Sequence, residues 1–124
     1  MEEHENVIKE IKKKIKKVYP KARIFENYEY LFEGNYFYID LLISIDFTLF
    51  IFEIKTGSKE KKARKQLDFH KKAISILQKD LSIRDILFSK IQTLWVSVKE
   101  SKIVNTETNK EIYYDNFLAN PIFF

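Results

Sequence analysis

The sequence contains no cysteine, only two glycines and only two histidines. Without cysteine the chain can form neither a disulfide framework nor a thiolate metal site, and a reducing, cytoplasmic location is expected. Two widely separated glycines cannot form a phosphate-binding loop or a dinucleotide-binding fingerprint. Two histidines are too few for a histidine-rich zinc centre. Any site chemistry therefore has to come mainly from other residue types.

Long hydrophobic runs are missing as well. The longest apolar stretch is interrupted by Ser44, Asp46 and Thr48, so no membrane-spanning helix is expected. The first ten residues lack the apolar core of a signal peptide. A hydrophobic content of 45% excludes a disordered chain, and 124 residues predict one domain over positions 1–124. The net charge of +4 permits a polyanionic partner without requiring one.

Residues 36–55, YFYIDLLISIDFTLFIFEIK, are the most informative stretch. Two runs of β-branched and aromatic residues flank positions 45–48, a pattern typical of a β-hairpin. A turn at Asp46–Phe47 places Asp40 opposite Glu53, with their Cβ atoms roughly 4.5–5.5 Å apart. Lys55 follows Glu53 by two positions and is expected on the same strand face. Two carboxylates and one lysine are therefore predicted to converge.

Two facing carboxylates repel each other unless positive charge lies nearby. Lys55 is expected to supply part of that charge, and a divalent cation such as Mg²⁺ would supply more, because Mg²⁺ prefers one or two carboxylates. The alternative is an ordinary salt-bridged strand pair that faces solvent. The apolar residues around the acids, such as Leu41 and Phe52, predict instead that both faces of the hairpin are covered.

Asp40 followed by Glu53-Ile54-Lys55 resembles the motif of the PD-(D/E)XK nuclease superfamily. The string EIKTG at positions 53–57 resembles its RecB-like exonuclease branch, which also carries a Gln-x-x-x-Tyr motif on the next helix. Gln66 matches that glutamine, whereas histidine stands at the tyrosine position. The resemblance covers about residues 36–75. It implies the α+β class, with a restriction-endonuclease-like αβββαβ core whose mixed sheet is flanked by helices.

The resemblance also implies a function: metal-dependent hydrolysis of nucleic-acid phosphodiester bonds, with DNA as the expected substrate and Mg²⁺ or Mn²⁺ as the cofactor. Asp40 and Glu53 would bind the metal, assisted by the carbonyl group of Ile54. Lys55 would position or activate the attacking water. Gln66 would support the substrate or the site.

Three further residues have open roles. RecB-like nucleases often place a metal-binding histidine upstream of the acidic motif, which makes His4 a candidate ligand, although a loosely ordered terminal histidine is an equal alternative. Glu5 is the nearest match to a helix glutamate that some resolvases use instead. His70 lies on an apolar helix stripe and is expected to be a hydrogen-bonded core residue rather than a ligand.

The remaining pattern predicts the other helices and strands. Helices are expected over residues 3–18 and 59–79, with a short helix around 83–88, and strands over 22–32, 36–45, 48–55, 93–99 and 110–114. Val18 is expected on the apolar stripe of the first helix. Gly34–Asn35 is expected to form a tight turn. The first turns of the second helix carry a basic cluster that is expected to contact nucleic-acid phosphates: Lys59, Lys61, Lys62, Arg64 and Lys65. For the lysines of the first helix, a solvated surface is the favoured interpretation.

Two alternative functions stay open at this point. One is a structure-specific endonuclease that resembles archaeal Holliday junction resolvases and acts as a homodimer, with an interface built on the tail NPIFF at positions 120–124. The other is a non-catalytic nucleic-acid-binding module of the same fold. The intact set of Asp40, Glu53 and Lys55 argues against the second, because a binding protein does not need two acids that repel each other.

Overall fold

A mixed sheet of six strands lies between helices in the computed structural model, which describes residues 2–57, 59–79 and 87–121. The helices and strands follow one another as α1 (Glu2–Val18), β1 (Arg23–Phe32), β2 (Asn35–Ile45), β3 (Thr48–Lys55), α2 (Glu60–Lys79), β4 (Lys90–Ser97), β5 (Lys102–Asn105), β6 (Glu111–Tyr113) and α3 (Tyr114–Ala119). The strands are arranged in sequence order, β1 to β6. Only the pairing of β3 with β4 is parallel.

The sheet is buried on both faces by two separate sets of apolar side chains. Helices α1 and α3 cover one face, where Ile11 and Ile15 of α1 and Phe117 of α3 pack against strand residues such as Phe52. Helix α2 covers the other face, where Leu67 packs with Trp95 and other strand residues. Residues 49–54 of β3 are consequently all buried. Burial on both faces explains why the sequences of β2 and β3 are nearly continuous apolar runs.

The α+β class, the mixed sheet and the flanking helices are confirmed, and so are the predicted helices and the first three strands to within two residues. The pairing of Leu41 with Phe52 and of Ile45 with Thr48 confirms the hairpin register. Strand β5 and helix α3 were not predicted. A short helix around residues 83–88 and the role of the carboxyl-terminal tail fall largely or wholly on residues 80–86 and 122–124, outside the described part of the chain.

Two details of the prediction were wrong. The turn before β2 is formed by Glu33 and Gly34, both with positive φ, because Phe32 pairs with Asn35, so the turn lies one residue earlier than expected. Val18, expected on the apolar stripe of α1, is 47% exposed because the helix ends there and the chain turns away toward β1. None of the helices in the described residues has the length and apolarity that crossing a membrane requires.

The turn between β2 and β3 places two non-glycine residues in the left-handed region. Asp46 has a φ of 47° and Phe47 a φ of 64°. Positive φ at both central residues defines the type I′ turn that suits the twist of a two-residue hairpin, and Asn-Gly is its preferred sequence. The carbonyl oxygen of Phe47 accepts a hydrogen bond from the amide of Ser89 at 2.8 Å, which ties the turn to the start of β4.

We expect Phe47→Gly to stabilise the protein by about 1 kcal/mol, because a left-handed φ costs an L-residue roughly 1–2 kcal/mol and glycine avoids that cost. The phenyl ring is 63% exposed, so its loss removes little buried area. Thermal melts should show an increase of about 4 °C. Phe47→Ala is the control, since it removes the ring but keeps the strained φ. Equal melting temperatures for the Gly and Ala variants would contradict this explanation.

Candidate active site

The ladder between β2 and β3 stops one position before the two acids. Leu41 and Phe52 are its last paired residues. Beyond them the backbone of each strand bonds to the carboxylate of the other. The amide of Asp40 donates to Glu53 Oε2 at 3.3 Å, and the amide of Ile54 donates to Asp40 Oδ2 at 2.8 Å. The two carboxylates therefore take the place of a ladder pair, and the strands separate there.

Glu53 is one of the few ionisable side chains buried in the described core, with 3% of its surface exposed. Burial raises the pKa of its carboxyl group, the contact with His70 partly offsets that rise, and the negative charge of Asp40 adds to it. Asp40 is less buried than Glu53, with a quarter of its side chain exposed. The pair thus consists of one desolvated carboxylate and one that reaches solvent.

A histidine contacts each carboxylate from a different helix. His4 of α1 places Nε2 at 3.2 Å from Asp40 Oδ2. His70 of α2 places Nε2 at 3.6 Å from Glu53 Oε1, a distance that allows electrostatic attraction but exceeds a hydrogen bond. Both histidines of the chain therefore lie at this site. His4 is held by a side-chain contact and is not a loose terminal residue, although its role as a metal ligand stays a prediction.

His70 is fixed in turn by a tyrosine on the edge strand. The hydroxyl group of Tyr30 lies 2.6 Å from His70 Nδ1. Burial raises the pKa of Tyr30, and the charge of Glu53 adds to the rise, so the phenol stays protonated. Either the hydroxyl group or Nδ1 can donate in this bond, depending on which nitrogen of His70 carries the proton. A continuous series of polar contacts thus runs from Tyr30 to His4 across the sheet.

Lys55 has the strand position expected for it, but it does not contact the two acids. It lies on the same strand face as Glu53 and is half-buried, and its carbonyl oxygen accepts a hydrogen bond from Val98 at 2.9 Å. Within residues 2–57, 59–79 and 87–121, its ammonium group forms no ion pair with Asp40 or Glu53. The side chains in contact with the two acids are His4 and His70, and compensation of their charge by Lys55 stays a prediction.

Gln66 lies on α2 one turn before His70. Its side-chain oxygen Oε1 is buried and has no hydrogen-bond partner in the described part of the chain. The same is true of Nε1 of Trp95, a fully buried residue of β4 that pairs in register with Glu53. Buried polar atoms are normally bonded, so these two atoms are exceptions that a bound water or ligand group would satisfy.

The predicted basic cluster on α2 is only partly available. Four of its members, Lys59, Lys61, Lys62 and Lys65, are exposed. Arg64 is engaged instead, since it bonds to Glu60 Oε2 and to Asn109 Oδ1, each at 2.9 Å. Contact of these residues with nucleic acid stays a prediction.

A cavity of about 400 Å³ opens beside Asp40, on the α1 side of the sheet. Its lining residues include His4, Glu5, Glu26 and Asp40. Glu5 therefore shares this cavity with Asp40, and its role stays a prediction. No group of three or more histidine, cysteine, aspartate or glutamate side chains in the described residues is arranged as a ready-made metal cage.

The sequence reasoning missed the link between His70 and Glu53 and the whole contribution of Tyr30. The spacing of Gln66 and His70 on one helix face was a usable signal for the first. Nothing in the sequence places Tyr30 near α2, because that contact depends on how α2 packs against the edge strand β1.

Comparison with family models, curated proteins and solved structures finds no match to this chain. The two carboxylates and the groups that contact them are therefore the features from which a function can be inferred.

We expect Glu53→Gln to change the pH dependence of stability in a defined direction. A folded-state pKa above the ordinary value of 4.5 means that wild type loses stability as the pH rises from about 4.5 through the raised pKa. The glutamine variant lacks this loss, so the melting temperature of wild type should fall relative to that of the variant as the pH rises above about 4.5.

Glu33→Gln, at an exposed position, is the control and should follow wild type at every pH. Parallel curves for wild type and Glu53→Gln would contradict a raised pKa at Glu53.

Proposed function

We propose that the chain is a metal-dependent nuclease of the PD-(D/E)XK type, closest in its motifs to the RecB-like branch, and that DNA is its substrate. The observation that carries the proposal is the meeting of the Asp40 and Glu53 carboxylates at the point where β2 and β3 separate. The order α-β-β-β-α-β over the first six helices and strands, with β3 and β4 parallel, is compatible with the restriction-endonuclease-like core.

The residues at the site have the chemistry that a hard divalent cation requires. Mg²⁺ usually takes one or two carboxylates and keeps several of its waters, so it does not need a cage of three acidic or histidine side chains. Asp40 and Glu53, with the carbonyl group of Ile54, would hold Mg²⁺ or Mn²⁺. Such an ion supplies a stronger nucleophile from water and stabilises negative charge on phosphoryl oxygens. Ligation by His4 would require it to exchange its present contact with Asp40.

Each protein group has a role that follows from its position. Tyr30 and His70 hold the Glu53 carboxylate in place from the α2 side. Lys55, on the same strand face as Glu53 and without an acidic partner among the described residues, is available to orient water or to stabilise the developing charge on the phosphate. The unpaired Oε1 of Gln66 is available to accept a hydrogen bond from substrate or water.

A non-catalytic nucleic-acid-binding module is the second candidate, and one observation favours it. Glu53 is almost fully buried and turned toward His70, and Lys55 makes no ion pair with either acid in the part of the chain described. A binding protein that has lost catalysis would tolerate both features. Nuclease assays with Mg²⁺ and with Mn²⁺ on single-stranded, duplex and junction substrates distinguish the two functions.

We expect Asp40→Ala, Glu53→Ala and Lys55→Ala each to lower cleavage by at least about 100-fold, the size of effect typical of removing one group that stabilises transition-state charge. Circular dichroism spectra should stay those of a folded protein. Lys110→Ala, at an exposed position outside the site, is the control and should cleave at the wild-type rate. Near-normal cleavage by any of the three site variants would refute the role given to that residue.

Metal binding can be measured without any substrate. A cation that binds the folded pair but not the unfolded chain should stabilise wild type by about 2.7 kcal/mol when its concentration is 100 times the dissociation constant. Asp40→Asn should raise stability without metal, because it relieves the repulsion with Glu53, and should remove most of the shift caused by Mn²⁺.

Thermal melts of both proteins, with and without Mn²⁺, provide the measurement. An asparagine variant that is less stable than wild type without metal, and that keeps the full Mn²⁺ shift, would end the metal-site assignment. Such a result would leave Asp40 as a structural partner of His4 and Ile54.

A further inference from the structure

A second cavity, of about 660 Å³, lies between α1 and the start of β1, and we call it the α1 groove. One wall carries four lysines of α1, and the other wall and floor are formed by residues 22–26. The four lysines are Lys9, Lys12, Lys13 and Lys16. Their spacing of three and four residues places them on one flank of the helix, next to the apolar stripe that packs on the sheet.

The α1 groove concentrates the positive charge of the molecule. Its lining holds five cations, the four lysines and Arg23, and one carboxylate, Glu26, which gives a local charge of +4. The formal net charge of the whole chain is also +4, so the remaining residues are neutral on balance. Positive charge collected in a concave surface attracts anions more strongly than the same charge spread over a convex helix.

The lysine side chains differ in what they contact. Lys12 pairs with Glu26 at 3.1 Å, and Lys16 donates to the carbonyl oxygen of Ala22 at 2.6 Å, so both extend across the groove toward β1. Lys9 and Lys13 form no ion pair within the described residues and are exposed. These two are the groups most available to an incoming anion.

The α1 groove leads to the candidate active site. Glu26 lines both this groove and the cavity that holds His4, Glu5 and Asp40. From Lys9 to Lys16 the helix rises about 10 Å, which corresponds to about three base-pair steps of roughly 3.4 Å along the axis of a duplex. A polymer with one negative charge per repeat can therefore contact several lysines while its next repeat reaches the carboxylates.

We propose that the α1 groove binds the phosphodiester backbone of a nucleic-acid strand and directs that strand to Asp40 and Glu53. The choice of nucleic acid as the ligand rests on the proposed nuclease function. The groove floor contains Ile24 and Phe25 of an edge strand, which also suits an extended acidic peptide. Nucleic acid is favoured because the groove continues into the carboxylate site. The α1 lysines, rather than the cluster on α2, become the main phosphate contacts.

The test is the salt dependence of DNA binding, measured by fluorescence anisotropy without divalent cation so that no hydrolysis occurs. The variant K9Q/K13Q removes the two unpaired lysines of the groove. The variant K14Q/K17Q is the matched control, since it removes two charges from the same helix outside the groove lining. A second control, K61Q/K65Q, removes two exposed lysines of α2.

Loss of two phosphate contacts should lower the slope of log affinity against log salt by about 1.4 for single strands and about 1.8 for duplex. At about 0.1 M salt this change corresponds to roughly 25-fold to 60-fold weaker binding. The slope of K14Q/K17Q should stay close to wild type, and the slope of K61Q/K65Q should change less than that of K9Q/K13Q. Bound DNA should also protect Lys9 and Lys13, but not Lys17, from chemical acetylation.

Three results would overturn the proposal. Equal slope changes for K9Q/K13Q and K14Q/K17Q would show an effect of net charge alone. A slope change only in K61Q/K65Q would place the DNA on α2 and leave the nuclease function standing. Binding of poly-glutamate by wild type, with no DNA binding even at low salt, would identify an acidic-peptide groove. Failure of the nuclease function itself is a separate outcome, because it appears as DNA binding without cleavage in Mg²⁺ or Mn²⁺.

Discussion

The structure depends on how it accommodates a carboxylate in its core. Glu53 lies on a strand that is covered on both faces, where an isolated charge would be strongly unfavourable. Four other groups offset that cost. The amide of Asp40 bonds to Glu53, His70 approaches it from α2, Tyr30 fixes His70, and His4 contacts the neighbouring Asp40 carboxylate. The site thus contains residues from α1, β1, β2, β3 and α2. A shift of any of these would change the contacts of the Asp40–Glu53 pair.

Apolar packing of the β2–β3 hairpin, and not attraction between the two acids, fixes the position of Asp40 and Glu53. From Leu41 to Ile45 the β2 side chains pack on both faces, and a register slip of one residue would exchange the two faces. The type I′ turn sets the same register from the other end, at the cost of a left-handed φ at Phe47. With both constraints in place, Asp40 and Glu53 must meet where the ladder ends. Hydrophobic packing therefore positions a polar site whose members repel each other.

Long periodic segments could be predicted from the sequence, and contacts between distant segments could not. The β2–β3 register and the apolar stripe of α2, including buried His70, follow from side-chain periodicity. Strands such as β5, with four residues, are too short to show a period. The sequence also favoured Lys55 as the partner of the acids, because it is adjacent in the chain. His4 and His70 contact the acids instead, because the packing of α1 and α2 on the sheet determines which side chains lie near them. No local sequence pattern encodes that packing.

The positive and the negative charges that would act on a polyanion lie in two different cavities. The cavity beside Asp40 includes Glu5 and Glu26 and is acidic, whereas the adjoining α1 groove carries a local charge of +4. Screening in physiological salt acts over about 8 Å, which is shorter than the rise of about 10 Å from Lys9 to Lys16. Charges at the far end of the groove therefore act on a strand almost independently of the acids. On the proposed function, a strand can bind through the groove without metal, while entry of its phosphate beside Asp40 and Glu53 requires a cation to neutralise them. Monovalent salt would then control affinity, and the divalent ion would control the chemical step.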